Sequence, residues 1–475
     1  MIQRYIGPYQ LSHWLRKHNY TCQVLDFLKS GPVYQFKTKT VYDLTLPFID
    51  KDTLIIGVSS TFMVGDELPS NIVDNIKSIR EQFPHIKFVL GGNKAETYKP
   101  STTSLFDCVV VGLAEDILLE LVRYYETGQG EPKGFRELPH KVKFYREANE
   151  KKFDIQTSDF KWADNDCIQP GEVLPLEVSR GCIFKCKFCQ YPLLGRSKFD
   201  YTRSMDLIRE ELIDNYRRFG TTNYYILDDT FNDTVDKVSA FYEMTQSLTF
   251  KIRYATYLRA DLLDRFPETI KMLKDSGLSG AHFGIESFHP EASKSVGKAW
   301  SGKKAKEFLP DLIHNQWNDE VAIHISMIVG IADEPSQSHW DSAKWLYENK
   351  IPSWNFKPLI IVKDDGRVFN SEFGKNAESY GYLHTDPTNL LHWEHKSSGW
   401  TWPNAVETAN AIKDYYNKYP SFKKYDSWSV VGLTTLGYDF NMLLSTPRYD
   451  TDKEDMRKRR NNWLKQYLDS VRELK

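Results

Sequence analysis

The chain has 475 residues, a net charge of −2, and 41% hydrophobic and 27% charged residues, a composition typical of a soluble protein of about three domains. The near-neutral charge provides no basic excess that would favour nucleic acid or an anionic membrane as a partner. The N-terminus has no apolar core of signal-peptide length, and no apolar run reaches about 18 residues, the length of a membrane-spanning helix, so we expect a cytoplasmic protein.

The first quarter of the chain alternates short apolar runs with amphipathic stretches. Four apolar runs are predicted strands: residues 22–27, 53–60, 87–92 and 107–112. Nearly continuous apolar strands separated by helices such as residues 71–83 indicate a parallel sheet covered on both faces. We therefore predict a Rossmann-like α/β domain at residues 1–127.

Glycine closes two of these predicted strands, at Gly91-Gly92 and at Gly112. Ligands of open parallel sheets bind at the carboxyl ends of the strands, and glycine lets a ligand approach the backbone closely. Gly91 and Gly92 are therefore candidate ligand-binding residues, or they make a tight turn from strand to helix. The sequence leaves both interpretations open.

A second alternating series begins after residues 128–173, which are polar, contain Gly and Pro, and indicate a linker. Six predicted strands follow, separated by helical segments: residues 174–180, 223–229, 251–260, 280–287, 322–331 and 355–362. They predict a partial (β/α)6 TIM-like barrel at residues 174–365. Such barrels carry their chemistry on the loops that follow the strands.

The last part of the chain, residues 366–475, is irregular in pattern and rich in aromatic residues, and it ends in a charged helix. We predict a mainly helical segment here. Trp393, Trp400 and Trp402 either line a substrate pocket at the barrel mouth or form the core of a helical cap.

Three of the six cysteines, Cys182, Cys186 and Cys189, lie within eight positions directly after the first predicted barrel strand. In a reducing cytosol such a cluster indicates a metal centre rather than disulfides. Thiolates at short spacings hold iron–sulfur clusters, and three thiolates on a cluster of four irons leave one iron open to a small molecule. The alternative, a zinc site, needs a distant fourth ligand such as Cys167 or a histidine.

This spacing, with the aromatic Phe188 just before the third cysteine, resembles the signature of the radical S-adenosylmethionine (SAM) superfamily. The resemblance implies a 4Fe-4S cluster that reductively cleaves SAM to a 5′-deoxyadenosyl radical, which then abstracts hydrogen from a substrate. It also implies an electron donor such as flavodoxin or ferredoxin. The substrate, a small molecule or a peptide, is unknown.

The resemblance continues at the ends of the second and third barrel strands. Asp228 and Asp229 match the acidic stretch that meets the amino group of SAM, where a carboxylate would accept a charge-assisted hydrogen bond. A helix N-cap by Asp229 is the alternative. Arg259 matches an arginine near the SAM carboxylate, and the alternative is a salt bridge to Asp261.

The fourth and fifth strands complete the implied SAM site. The stretch "FGIES" places Glu286 where the family binds the ribose or methionine part of SAM. The stretch "SMIVGIADE" partly matches the motif that supports adenine, since Ile328 and Gly330 keep the pattern and Ser326 replaces its first glycine.

A parallel α/β domain in front of such a barrel resembles the cobalamin (B12)-binding subclass. With cobalamin, the resemblance implies methylation or rearrangement; without it, oxidation, crosslinking or another hydrogen-abstraction reaction. The motif D-x-H-x-x-G, whose histidine can ligate cobalt, is absent from residues 1–150, and the usual first strand is cut short. Cobalamin binding therefore stays open, the alternative being a vestigial domain that shapes the substrate entrance.

For the protein as a whole, the alternative to an enzyme is a sensor or carrier that binds a cluster or corrinoid without catalysis.

Overall fold

The computed structural model describes residues 3–26, 38–60, 67–92, 95, 98–146, 153–191, 201–298, 300–363, 370–386, 391–419, 424–448 and 450–474. The strands are β1 (Ile55–Ser59), β2 (Lys87–Gly91), β3 (Cys108–Val111), β4 (Arg136–Leu138), β5 (Val142–Arg146), β6 (Leu174–Leu176), β7 (Asn223–Ile226), β8 (Arg253–Leu258), β9 (Leu278–Glu286), β10 (Ala322–Val329), β11 (Trp354–Pro358), β12 (Tyr382–His384) and β13 (Trp393–His395).

The α-helices are Ile6–Lys17, Thr38–Thr45, Ser70–Gln82, Pro100–Thr103, Glu115–Thr127, Met205–Phe219, Val235–Gln246, Ala260–Arg265, Glu268–Asp275, Pro290–Ser295, Gly302–Pro310, Ser336–Glu348, Glu372–Lys375, Trp402–Tyr416, Ser427–Gly432, Phe440–Ser445 and Lys453–Glu473. None of the helices described is long and apolar enough to cross a membrane.

The front sheet has the order β1-β2-β3-β5-β4, in which only β4 runs antiparallel to its neighbour. The central strand β3 is buried along its whole length, as a strand covered on both faces should be. The predicted strands at residues 53–60, 87–92 and 107–112 are confirmed. Strands β4 and β5 lie inside the segment that we predicted as a linker, so this segment completes the sheet.

The predicted strand at residues 22–27 is wrong for residues 22–26, which form no strand. Here the backbone is bound by side chains instead of by a neighbouring strand. The carbonyl oxygen of Cys22 accepts hydrogen bonds from Arg16 at 2.8 Å and from Asn165 at 3.2 Å. A backbone oxygen that is already paired in this way is not available to extend a ladder.

The second sheet is a sequential parallel sheet of six strands, β6 to β11, which confirms the partial (β/α)6 barrel. Helices Met205–Phe219, Val235–Gln246, Glu268–Asp275 and Ser336–Glu348 bury apolar residues against its outer face. On the inner face, helix Ser427–Gly432, which we call the floor helix, packs against β7 to β10. It contacts the sheet near the amino-terminal ends of the strands, where Ala255 and Ala322 share a core with Val430.

The C-terminal segment is mainly helical, as predicted, and the core interpretation of two of its tryptophans holds. Trp393 and Trp400 are buried, and their indole N–H groups donate to the carbonyl oxygens of Leu359 at 3.0 Å and Glu334 at 2.7 Å. Trp402 is partly buried against the same core.

We expect Gly280→Ala to lower the free energy of unfolding by about 1–3 kcal/mol, the usual cost of overpacking a filled core. A Cβ at this position of β9 would lie 2.9 Å from the Cβ of Ala255 and closer still to the carbonyl oxygen of Ser427 in the floor helix. Gly57→Ala in β1 is the matched control, because nothing lies within 4 Å of its added Cβ. Urea unfolding should separate the two variants, and equal stability would mean that the floor helix does not press on the sheet.

Candidate active site at the mouth of the barrel

The cysteine loop follows β6 and is held in place by backbone hydrogen bonds to three other segments. Arg180 N donates to Tyr201 O at 3.0 Å, Lys187 N donates to Val296 O at 3.0 Å, and Phe373 N donates to Lys187 O at 2.9 Å. An irregular loop with such anchors keeps its side chains in a defined arrangement at the carboxyl ends of the strands.

Each thiol of the loop has its own neighbour. The Sγ atom of Cys182 lies 3.3 Å from Thr230 Oγ1. The Sγ atom of Cys186 accepts from Arg259 Nη1 at 3.5 Å, and that of Cys189 accepts from the backbone N–H of Tyr191 at 3.4 Å. N–H groups that point at cysteine sulfurs are a usual feature of iron–sulfur sites, because they stabilise the thiolate and tune the cluster.

The thiols form no disulfide. Among the residues described, no three His, Cys, Asp or Glu side chains converge closely enough to hold one metal ion. A 4Fe-4S cluster does not require this convergence, because each thiolate binds a different iron. Cys167, the fourth ligand of the zinc alternative, instead packs with Tyr467 and Val471 against the C-terminal helix. The donor set therefore fits a cluster rather than a zinc site.

Burial makes these thiols hard to ionise without a metal. It raises the pKa of Cys182, and it raises the pKa of Cys189 to about 12, with further contributions from Asp229 and from the other two cysteines. A cation bound by the three sulfurs would reverse this effect, since metal ligation requires the thiolate form.

The two adjacent aspartates after β7 have different roles. Asp228 is fully buried, and its Oδ1 accepts from the backbone N–H groups of Val178 at 3.1 Å and Ser179 at 2.8 Å. Its Oδ2 accepts from Ser179 Oγ and from Lys237 Nζ at 3.3 Å. This carboxylate ties the end of β7 to the segment before the cysteine loop. It has no room for a cofactor, so the structure argues against the predicted SAM contact of Asp228.

Asp229, by contrast, is exposed to solvent, and no described group hydrogen-bonds its carboxylate. Burial, followed by the charge of Asp228, raises the pKa of Asp229 to about 7. We call the solvent-accessible space beside this carboxylate, at the carboxyl end of β7, the crevice. The alternative of a helix N-cap is excluded, since Thr234 caps the next helix.

Arg259 lies beside the cysteine loop and pairs with Asp261. Its Nε and Nη2 atoms donate to the two oxygens of Asp261 at 3.0 Å and 2.7 Å, and its guanidinium lies 4.1 Å from the centre of the Phe184 ring. With Nη1 directed at Cys186, the structure favours the salt-bridge alternative over a contact with the SAM carboxylate. Arg259 thus positions the loop.

Glu286 ends β9 in a left-handed conformation, with φ at 69°. The pairing of β9 with β10 skips one residue just before it, a bulge that turns its side chain back. Its carboxylate pairs with Lys298 at 2.9 Å and lies over Gly284, where a Cβ would collide with Glu286 Oε1. The contact of Glu286 with SAM stays a prediction.

The other predicted cofactor residues are in or near the core. Ile328 is buried in the barrel core, against which Phe188 is partly buried. Gly330 has a φ of 99°, and a Cβ there would lie 2.8 Å from Trp393 Cη2. In the front sheet, Gly91 ends β2, and its carbonyl oxygen accepts from Ser60 N and Oγ, each at 2.8 Å. Gly92, with φ at 101°, makes the tight turn. Cofactor contacts of these residues stay predictions.

A charge cluster that the sequence did not reveal joins the front sheet to the cysteine loop. Arg180 donates to Glu115 at 2.7 Å and to Glu177 at 2.6 Å, and all three side chains are largely buried. Gln10 in the first helix also donates to Glu177. The only signal in the sequence was an arginine just before the first cysteine of the loop, since Glu115 is distant along the chain.

Part of the chain is similar to known proteins in sequence. Residues 176–346 match the profile of the radical SAM superfamily. Bacteriochlorophyllide d C-12(1)-methyltransferase of Chlorobaculum tepidum is 24% identical over 213 residues, or 44% of this chain and 45% of that protein. The match therefore spans less than half the length of this curated relative.

Two solved structures resemble the whole chain. One is the structure of the radical SAM methyltransferase TsrM from Kitasatospora setae with cobalamin and a 4Fe-4S cluster bound. The TM-score is 0.66 at 15% identity, and the match covers 97% of each chain. The cobalamin-dependent SAM radical enzyme OxsB, with aqua-cobalamin and SAM bound, has a TM-score of 0.57 at 14% identity, over 99% of this chain and 69% of that chain. They confirm the predicted fold, a Rossmann-like parallel-sheet domain followed by a partial (β/α)6 barrel and a mainly helical C-terminal segment.

Proposed function

We propose that this protein is a cobalamin-dependent radical SAM methyltransferase, since residues 176–346 match the profile of the radical SAM superfamily. The observation that carries the proposal is the direction of the two sheets. Glu115 follows the carboxyl end of β3, Arg180 follows the carboxyl end of β6, and the two side chains are 2.7 Å apart. The carboxyl-terminal edges of both sheets, where such sheets bind ligands, therefore lie close together at this ion pair.

This arrangement suits a corrinoid between the two domains. A ligand at the edge of the front sheet, near the Gly91-Gly92 turn, would face the cysteine loop and Asp229. The first helix, Ile6–Lys17, supports the same interface, since Tyr9 packs into the barrel core and Leu15 packs with Leu119 and Val122 of the front domain. The domains are thus joined by apolar packing as well as by the Arg180 cluster.

The chain's own residues would hold each group in the crevice. Cys182, Cys186 and Cys189 would bind the cluster through their thiolates, and Asp229 would accept a hydrogen bond from the ammonium of SAM. Once bound, the cluster supplies the electron for SAM cleavage and the corrin serves as methyl carrier. Two relatives found by the comparisons are methyltransferases by name, which favours methyl transfer over rearrangement. The substrate is not identified.

The test is to reconstitute the chain anaerobically with iron, sulfide and hydroxocobalamin, desalt it, and record visible and EPR spectra. We expect the corrin bands to remain at about one per chain, the stoichiometry of a single interdomain site. Complete loss of the corrin on desalting would contradict the proposal.

We expect Asp229→Asn to weaken SAM binding about tenfold or more, because a hydrogen bond to a charged group contributes about 1.5–3 kcal/mol, while iron content stays unchanged. Asp236→Asn is the control, since Asp236 is also an exposed carboxylate, in the first turn of the next helix. Equilibrium dialysis of SAM against anaerobic protein measures the difference. Wild-type affinity in Asp229→Asn would show that SAM binds elsewhere.

A further inference from the structure

A continuous series of five rings covers part of the inner face of the barrel. The ring centres are 5.2 Å apart for Tyr225 and Trp428, 5.0 Å for Trp428 and Tyr257, 4.8 Å for Tyr257 and His282, and 4.7 Å for His282 and His324. We call these five rings the aromatic wall. It comprises residues of four neighbouring strands and of the floor helix.

The wall rises from the floor helix toward the mouth. Gly280 touches Ser427 of the floor helix, and His282 lies two residues further along β9, hence on the same face and nearer the carboxyl end. Tyr257 stands in the same relation to Ala255 of β8, which packs against the floor helix.

Tyr257 is 41% exposed although it lies on a central strand. The backbone N–H of Phe231, two residues after Asp229, donates to the carbonyl oxygen of Tyr257 at 2.9 Å, so Tyr257 lies beside the segment that carries Asp229. Tyr191, two residues after Cys189, is itself 40% exposed. The upper end of the wall is therefore an accessible aromatic surface beside the segment that carries Asp229.

The two histidines of the wall are held in place by hydroxyl groups. His282 Nε2 lies 2.9 Å from Ser326 Oγ, which donates to Asn355 Oδ1 at 3.0 Å, and His324 Nδ1 lies 2.8 Å from Ser353 Oγ. Burial lowers the pKa of His282 to about 3 and also lowers that of His324, so both rings are neutral at pH 7. Tyr225 and His324 are buried, at 0% and 7% exposed, so the uncharged ring face that the wall presents to solvent is mainly that of Tyr257.

We infer that the aromatic wall is the substrate-binding surface and that it takes a planar, uncharged aromatic ring system stacked on Tyr257. The inference deepens the proposed function by naming its substrate class, and it rests on that function. Stacked or edge-to-face ring pairs each contribute about 0.5–1.5 kcal/mol beyond their buried area. A flat ligand on the wall would lie next to Asp229 and the cysteine loop, where the chemistry takes place.

The test compares 2-naphthol with decahydro-2-naphthol, which has the same skeleton and hydroxyl group but is neither planar nor aromatic. Equilibrium dialysis against the anaerobically reconstituted full chain should show about tenfold tighter binding of 2-naphthol, the effect of roughly two ring contacts. Tyr257→Leu should remove this preference and Tyr257→Phe should keep it. Equal binding of the two probes by the wild type would overturn the inference.

The control is Tyr216→Leu. Tyr216 is 42% exposed and stacks on Phe250 at 4.0 Å, but on an outer helix. Tyr216→Leu should leave the preference for 2-naphthol intact. The iron content and the circular dichroism spectrum of all variants should match those of the wild type. Full 2-naphthol affinity in folded Tyr257→Leu would also refute the wall. If the protein retains the corrin but does not prefer 2-naphthol, the substrate-binding role of the aromatic wall is refuted and the proposed function is not. If the protein prefers 2-naphthol through Tyr257 but does not retain the corrin, only the proposed function is refuted.

Discussion

Replacement of Cys182, Cys186 or Cys189 by alanine is expected to reduce bound iron at least tenfold from about four atoms per chain. Mutation of residues that only support metal ligands already costs about 10–100-fold in metal affinity, and the loss of a ligand should cost at least as much. Each thiolate would bind a separate iron, so the remaining two cannot compensate. Iron analysis and EPR after anaerobic reconstitution measure the loss.

Cys167→Ala is the matched control for these variants. Cys167 is buried like Cys182, but its thiol lies among Tyr467 and Val471. This variant should bind iron as the wild type does. Equal loss of iron in Cys167→Ala would restore the zinc-type alternative with a distant fourth ligand.

The second large effect is expected for Arg180→Met, which should lower the free energy of unfolding by about 3–5 kcal/mol. The change leaves two carboxylates, Glu115 and Glu177, buried at the interface without their shared cation. It should also reduce corrin retention, because the cluster of charges joins the front sheet to the cysteine loop. Urea unfolding and retention of hydroxocobalamin after desalting are the two measurements.

Arg218→Met is the control, since Arg218 also pairs with two acidic residues, Asp164 and Asp214. Asp164 is 98% exposed, and exposed ion pairs contribute only about 0.2–1 kcal/mol. Equal destabilisation by Arg180→Met and Arg218→Met would show that the interface does not depend on the buried cluster.

Most of the regular structure could be read from local patterns. The six barrel strands and the helices between them follow from alternating apolar runs, because burial on both faces of a parallel strand demands a continuous apolar stretch. Residues 22–26 and the strands β4 and β5 could not be predicted this way. A short segment becomes a strand only if a neighbour pairs with it, and residues 22–26 are bound by Arg16 and Asn165 instead.

The candidate site divides in the same manner. The proposed cluster ligands Cys182, Cys186 and Cys189 lie within one short loop, so their spacing alone is sufficient to propose them. Asp228 and Asp229 are neighbours in the same acidic stretch, and no local pattern distinguishes them. Asp228 accepts hydrogen bonds from Ser179 and Lys237, whereas Asp229 is exposed to solvent, a difference that depends on which segments pack against the chain after β7.

The amino-acid sequence alone therefore specified the cysteine loop, the alternation of strands and helices, and the order of the two domains, since each depends on residues close together in the chain. Folding decided which side chains reach the crevice. Glu115 meets Arg180, and Tyr225, Tyr257, His282, His324 and Trp428 become one wall, only when distant segments pack together. Contacts of this kind depend on the pairing and twist of whole sheets, which no short stretch of sequence contains.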